Sequence, residues 1–372
     1  MAKTIPRFLF YAVNGLGLGH VTRLLAIARK LRVHLPLSEI IFLTSSEAED
    51  VIFREGFAAF KVPSRTMKTK GELRAATYAR LVQSVAFNLT ASFSPHVLIV
   101  DTFPMGAVQE LLPLLRWEMK KVFVFREQRP EAATSPGFQS TLSLYDLLIS
   151  PHTEGEAELP LPPGVNVVYT GAILVRDRAE ALPREEARRK LRLPPDFPEN
   201  GQHTERKTVY VTFGGGGDTE MEAALQTVRE AAVLCPDLLF AVAQAPLSRL
   251  EIEESDNLIP VSHYPMAERF AAFDFAVSAT GYNSAMELLY HGVPTIFVPF
   301  LRQVDNQLAR AKRIEAAGAG LCLEDLNTKS LLGKLDELAL PGTAPRMKRA
   351  AQLLVPDNGA ERAAISIAGL LG

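Results

Sequence analysis

The sequence predicts an α/β protein built from two doubly wound, parallel-sheet domains, and three observations predict it. In the first part of the chain, short continuous apolar runs alternate with stretches of helical spacing. Strands buried on both faces read this way, and helices between them make parallel crossovers. A second series of the same kind begins at TVYVTF, residues 208–213. Each series also places a glycine-rich loop directly behind its first strand, NGLGLGH at 14–20 and GGGG at 214–217. A loop there lets the backbone turn tightly and approach a ligand at the carboxyl edge of the sheet. At 372 residues the chain has room for two such cores, and 47% hydrophobic residues fit a globular protein.

In the first domain, residues 1–175, the expected strands are FLFYAV (8–13), EIIFLTSS (39–46), HVLIVD (96–101), KVFVF (121–125) and a run at 166–170. Helices are expected over 21–33, 47–55, 71–93 and 105–119, which makes the domain Rossmann-like. Residues 176–207, rich in proline and charge, read as a linker with an approach helix at 184–193 that Pro194 and Pro195 end. The second domain, 208–345, continues with strands at 238–243, 258–261 and 275–278. Two helices, 346–354 and 361–371, close the chain.

Composition excludes several classes. A net charge of -2 with basic residues spread along the chain gives no surface for nucleic acid. Cys235 and Cys322 stand far apart, so neither a disulfide framework nor a zinc site is expected, and a reducing cytoplasm fits. The histidines lack metal-ligand spacing and there is no Asp-x-Asp motif, so neither a metal nor a cofactor is expected. The apolar run at 8–13 is too short for a signal peptide, and no segment reaches the length of a membrane span. Peripheral contact with a membrane is compatible with these limits.

The stretch at 275–311 carries the most chemistry. It reads as strand, tight loop, helix, strand, loop and helix. Gly281 punctuates the first strand, Asn283 and Ser284 can cap the helix, and Gly292 and Pro294 stop it. Such a helix start offers backbone N–H groups and the positive end of the macrodipole to a phosphate. Glu287 falls about one turn inside, within reach of a ribose diol beside that phosphate. Asp305, Asn306 and Gln307 then gather donors and acceptors suited to a sugar ring. An ordinary buried strand, turn and amphipathic helix would give the same pattern, with Glu287 a solvated helix residue.

In the first domain, His20 ends the glycine loop at the carboxyl edge of the sheet. A plain dinucleotide site would need an acid after the second strand, where Thr44, Ser45 and Ser46 stand instead. A histidine in that place can take a proton from an attacking hydroxyl; a capping or structural histidine is the alternative. Asp101 closes the strand 96–101 at the same edge, either beside His20 or as the N-cap of the helix expected after Pro104.

These residues bring a family resemblance. TGYNSAME, 280–287, resembles the Cys-Gly-Trp-Asn-Ser-x-x-Glu core of family 1 glycosyltransferases. GYNSAMELLYHGVPTIFVPF followed by NQLARA resembles the C-terminal domain of family 28, the group of the lipid-linked N-acetylglucosaminyltransferase of peptidoglycan synthesis. The resemblance implies the GT-B fold, two Rossmann-like domains facing a central cleft, in which a C-terminal helix often crosses back to the first domain. It implies inverting, metal-independent transfer of a sugar from a nucleotide diphosphate donor, a UDP-sugar, to a small-molecule or lipid-linked acceptor.

Carried over by position, Gly281, Asn283 and Ser284 would lie at the diphosphate, Glu287 at the ribose, and Gln307 at a hydroxyl of the sugar, with Thr280 also among the donor-binding residues. Asn306 stands where the families have an acid or Gln, with Asp305 one place earlier. VTFGGGGDTEME resembles the loop opening the donor domain, implicating Gly214, Gly215 and Gly216, and 261–266 the nucleobase loop, with Tyr264 on the base or in the core. GLGLGH resembles the family 28 glycine loop, placing Gly17 and Gly19 near the acceptor, while His20 matches the general-base histidine of family 1 and VDTFPMGA resembles the segment whose aspartate, here Asp101, orients it. GLGLGHVTR also resembles the Gly-x-Gly-His-Val-x-Arg segment of the UDP-sugar hydrolase of pseudaminic acid synthesis, in which water replaces the acceptor. A non-catalytic nucleotide-sugar-binding partner is the third reading. Residues 64–72 and 126–139, including Arg126, Glu127, Gln128 and Arg129, are candidates for acceptor contact.

Overall fold

The computed structural model describes residues 5–13, 18–127, 133–156, 160–195, 206–214, 219–244, 252–302 and 305–372. The chain divides into two compact units: Met1–Val175 with Asn358–Gly372, and Arg176–Asp357.

In unit 1 the elements run β1 (Arg7–Ala12), α1 (Gly19–His34), β2 (Glu39–Thr44), α2 (Asp50–Arg54), β3 (Ala58–Lys61), α3 (Arg65–Lys70), α4 (Ala75–Phe93), β4 (Val97–Asp101), β5 (Lys120–Val124), α5 (Pro136–Leu142), β6 (Leu147–Ser150) and β7 (Val167–Tyr169). The seven strands are parallel, in the order β3-β2-β1-β4-β5-β6-β7. Phe8, Leu9, Phe10 and Tyr11 are consecutive and all buried, because helices cover both faces of the sheet. The order reverses between β1 and β4, which pair through Phe10↔Ile99 and Tyr11↔Val100. That reversal opens a crevice at the carboxyl ends of the two strands, where open α/β sheets bind ligands.

In unit 2 the chain continues with α6 (Arg184–Lys190), β8 (Lys207–Thr212), α7 (Thr219–Leu234), β9 (Leu238–Ala243), β10 (Leu258–Val261), β11 (Phe275–Ala279), α8 (Tyr282–His291), β12 (Thr295–Val298), α9 (Gln307–Ala316), β13 (Leu321–Cys322), α10 (Thr328–Ala339) and α11 (Thr343–Leu354). Its parallel sheet has the order β10-β9-β8-β11-β12-β13, so the reversal falls between β8 and β11. The two parallel-sheet, Rossmann-like units are those the alternating pattern predicts. Residues 176–195 belong to unit 2: Arg188 of α6 donates to the Thr208 hydroxyl at 2.8 Å and to the Ala272 carbonyl at 3.0 Å.

The last helix, α12 (Ala360–Ala368), packs on α1 in unit 1, whereas α11 stays in unit 2. Asn358 ties the returning chain down by accepting from Leu174 N–H and donating to its carbonyl, each at 2.9 Å. Gly359 lies so close to the Thr170 and Gly171 carbonyls that an added Cβ would stand 2.6 Å from both oxygens. Among the described residues, no helix is long and apolar enough to cross a membrane.

Residues 105–119 depart from expectation: they form turns and one 3-10 turn, Leu114–Arg116, instead of a helix. Glu110, buried, accepts from the backbone N–H groups of Ala107 and Val108, at 3.0 and 2.7 Å, and so competes with helical bonding. Gly106 at φ 84 and Gln109 at φ 63 are left-handed, and Pro113 lacks the donor a helix would need there. Smaller differences are α2, which begins at Asp50 rather than 47, and α4, which begins at Ala75 and is preceded by the separate α3.

Candidate functional site

The crevice of unit 1 brings His20 and Asp101 together. His20 is the second residue of α1, and Asp101 is the last residue of β4. His20 Nδ1 lies 3.2 Å from Asp101 Oδ2, with the His20 side chain 14% exposed and the carboxylate fully buried. The N-cap alternative for Asp101 does not hold, because no helix follows it. A carboxylate can only accept, so Nδ1 carries the proton and donates. Nε2 is then the basic nitrogen, with no hydrogen-bond partner among the described residues.

Sequence reasoning missed Arg23. It lies one helical turn beyond His20, is 2% exposed, and donates to Asp101 Oδ2 through Nε at 3.1 Å and Nη2 at 3.0 Å. The signal was present in the spacing His20-x-x-Arg23, which puts both side chains on one face of a helix. Thr102 donates its hydroxyl to Asp101 Oδ1 at 2.9 Å from a left-handed backbone, φ 67. Burial alone would raise the Asp101 pKa. The Arg23 guanidinium, His20 and the Thr102 hydroxyl outweigh it and hold the carboxyl at about 2. Asp101 is therefore an anion throughout the neutral range. Phe103, 41% exposed, stands beside His20 with ring centroids 5.8 Å apart.

Gly19 is the first residue of α1 rather than part of a loop; Gly17 lies outside the described residues. In the expected acceptor segment, Arg126 is buried and the Glu127 N–H donates to Nε2 of the buried His152 at 3.0 Å. Gln128 and Arg129 lie outside the described residues.

In unit 2 the crevice between β8 and β11 is bordered by Gly214, exposed at φ 93, and by the start of α8. Gly215 and Gly216 lie outside the described residues. The N-cap of α8 is Gly281, with no side-chain cap, so Asn283 and Ser284 sit in the first turn rather than capping it. A Cβ on Gly281 would meet no atom within 4 Å, so the space before the helix is open. Thr280 is fully buried, its hydroxyl has no hydrogen-bond partner among the described residues, and its carbonyl accepts from Arg310 at 2.7 Å.

Glu287, one turn into α8, is partly buried and has no hydrogen-bond partner among the described residues. Burial pushes its carboxyl up to about 7 although Arg176 pulls the other way. Asp305 pairs with Arg310 at 2.8 Å, and Asn306 is the N-cap of α9, accepting from Ala309 N–H at 3.2 Å. Gln307, 6% exposed, accepts from Phe300 N–H at 3.0 Å through Oε1, which leaves its Nε2 as a donor. Tyr264 is partly buried in the loop after β10. Among the described residues, no three His, Cys, Asp or Glu side chains gather as a metal site would require.

Residues 241–364 match the glycosyltransferase family 28 C-terminal domain. Over 369 residues the chain is 26% identical to the UDP-N-acetylglucosamine--N-acetylmuramyl-(pentapeptide) pyrophosphoryl-undecaprenol N-acetylglucosamine transferase of Leifsonia xyli subsp. xyli, covering 95% of this chain and 96% of that protein. Among solved structures, the chain is similar to the glycotransferase of kitacinnamycin, with a TM-score of 0.67 and 14% identity over the whole of both chains. It is also similar to the spinosyn rhamnosyltransferase complexed with thymidine diphosphate, with a TM-score of 0.61 and 16% identity over 99% of this chain and 100% of that one. The family 28 resemblance expected from 275–311 and the GT-B fold expected of the chain are thus present, and these three relatives are glycosyltransferases.

Proposed function

We propose, for a chain whose residues 241–364 match the glycosyltransferase family 28 C-terminal domain, that it is an inverting glycosyltransferase using a UDP-sugar. The observation that carries the reading is the His20–Asp101 pair at the switch point of unit 1, which leaves one basic ring nitrogen to meet a hydroxyl. His20 Nε2 takes the proton of the acceptor hydroxyl as its oxygen attacks the anomeric carbon. The bond from that carbon to the diphosphate oxygen breaks on the opposite face, and UDP leaves with the electron pair. Asp101 stabilises the imidazolium. Unit 2 holds the donor, with the diphosphate at Gly281, Asn283 and Ser284, the ribose at Glu287, the sugar at Gln307 and the base at Tyr264. The relative's name suggests UDP-N-acetylglucosamine as donor and a lipid-linked N-acetylmuramyl acceptor.

The test is UDP release from UDP-N-acetylglucosamine with and without that lipid acceptor. Release that stays slow until the acceptor is added supports transfer; free sugar at the full rate without it supports the hydrolase. Backbone N–H groups and the α8 dipole are the proposed stabilisers of the leaving diphosphate, so turnover should survive EDTA with little loss. Inactivation by EDTA that magnesium or manganese restores would contradict this.

A pH prediction follows from Glu287. Its carboxylate form accepts ribose hydroxyls, and with a pKa of about 7 that form dominates above neutrality. UDP affinity by calorimetry should therefore fall as pH drops from 8 to 6, beyond the ligand's own titration. Glu287→Gln should bind UDP more weakly at pH 8, by about 1.5 to 3 kcal/mol, and retain only the ligand's pH dependence. An unchanged profile removes Glu287 from the site.

A further inference from the structure

We propose that Arg23 is a positioning residue: its guanidinium fixes the one oxygen of Asp101 that meets His20, and so determines which ring nitrogen of His20 carries the proton. Three donors converge on Asp101 Oδ2, namely His20 Nδ1 at 3.2 Å, Arg23 Nε at 3.1 Å and Arg23 Nη2 at 3.0 Å. The other oxygen, Oδ1, takes the Thr102 hydroxyl at 2.9 Å. The carboxylate plane is thus pinned from both ends. The planar fork of an arginine can place two N–H groups on one acceptor, whereas a lysine offers a single point charge. His20 and Arg23 also ride on the same turn of α1, so base and fork keep a fixed spacing to the strand end that carries Asp101.

The chemistry depends on that fork. Asp101 is fully buried, and burial favours the neutral acid; the Arg23 guanidinium is the largest effect opposing it. A neutral Asp101 would be a donor toward Nδ1. The ring would then hold its proton on Nε2, the nitrogen that must be bare to accept one from a hydroxyl. Arg23 touches neither the donor sugar nor the acceptor in this account and bears on His20 through Asp101.

The kinetic arm of the test rests on the transfer reading; the spectroscopic arm does not. Nitrogen-15 spectra of histidine-labelled protein at pH 8 should show the His20 ring protonated at Nδ1 in the native chain and displaced toward the Nε2–H form in Arg23→Met. Arg23→Lys should restore part of the Nδ1–H signature. In UDP release from UDP-N-acetylglucosamine with the lipid acceptor, kcat should fall roughly tenfold in Arg23→Met with KM for the donor unchanged, and recover partly in Arg23→Lys. Added to Asp101→Asn, Arg23→Met should cost less than about twofold more, as expected of two residues acting through one contact.

Trp117 fluorescence checks that unit 1 is folded. If Arg23→Met does not fold, Arg23→Lys and the pair Arg23→Met with Asp101→Asn, which leaves neither charge buried, carry the comparison. An unchanged tautomer in Arg23→Met, or a full additional loss of kcat in the Asp101→Asn background, would overturn the proposal. If the native chain releases no UDP, the transfer reading fails while the spectra still decide the role of Arg23.

Discussion

His20→Ala should slow sugar transfer by roughly a hundredfold or more, the usual cost of removing a general base, while UDP binds as before. The separation is expected because His20 lies in unit 1, at the start of α1, whereas the proposed nucleotide contacts at Gly281, Asn283, Ser284 and Glu287 lie at the N-cap and in the first turns of α8 in unit 2. Initial rates at saturating donor, set beside UDP titration calorimetry on the same preparation, make the measurement. A variant that keeps its rate ends the histidine-base mechanism. A variant that loses UDP affinity instead makes His20 part of the donor site.

The largest stability effect is expected at Asp101. Asp101→Ala removes the counter-charge from a guanidinium that is 2% exposed, and breaking one side of a buried ion pair costs about 3 kcal/mol or more. Trp117 is the chain's one tryptophan and packs edge-on against Phe87 in unit 1, so its fluorescence during urea unfolding reports this unit. The pH dependence has a definite sign. The folded carboxyl is held below its ordinary 3.8, so the stabilisation is complete above that value and is lost as pH falls through about 2. The gap between native chain and variant should therefore be widest at neutral pH and close in strong acid. A gap that persists undiminished at pH 2 would assign the loss to packing rather than charge.

Much of the fold was legible because the inner strands are buried on both faces. Phe8, Leu9, Phe10 and Tyr11 leave no polar face to obscure the pattern, and the same holds for Val97, Leu98, Ile99 and Val100. β3 was not legible: it is an edge strand of four residues with three exposed, and AAFK carries no signal that distinguishes it from a loop. Residues 105–119 misled for the opposite reason. Leu111, Leu114 and Leu115 are buried and helically spaced, yet the Glu110 carboxylate claims the N–H groups that would start a helix. At the candidate site, each strand end and helix start could be placed one at a time. The convergence of Arg23 and His20 on Asp101 could not be, because it joins residues 78 and 81 positions apart through a sheet order that no local spacing encodes.

The return of the chain through Asn358 and Gly359 makes unit 1 discontinuous in sequence, with all of unit 2 inserted before its last helix. On a ribosome, the strands of the seven-stranded sheet emerge early, but the face of α1 that α12 covers waits until unit 2 has been made. Ala360, Ala363, Ala364 and Ile367, which close that face, are added only after unit 2. Unit 2 can complete its fold as it leaves the ribosome, whereas unit 1, though begun first, is finished last. A chain cut after Asp357 would therefore keep unit 2 whole and show its defect at the opposite end of the sequence, in the helix that carries His20.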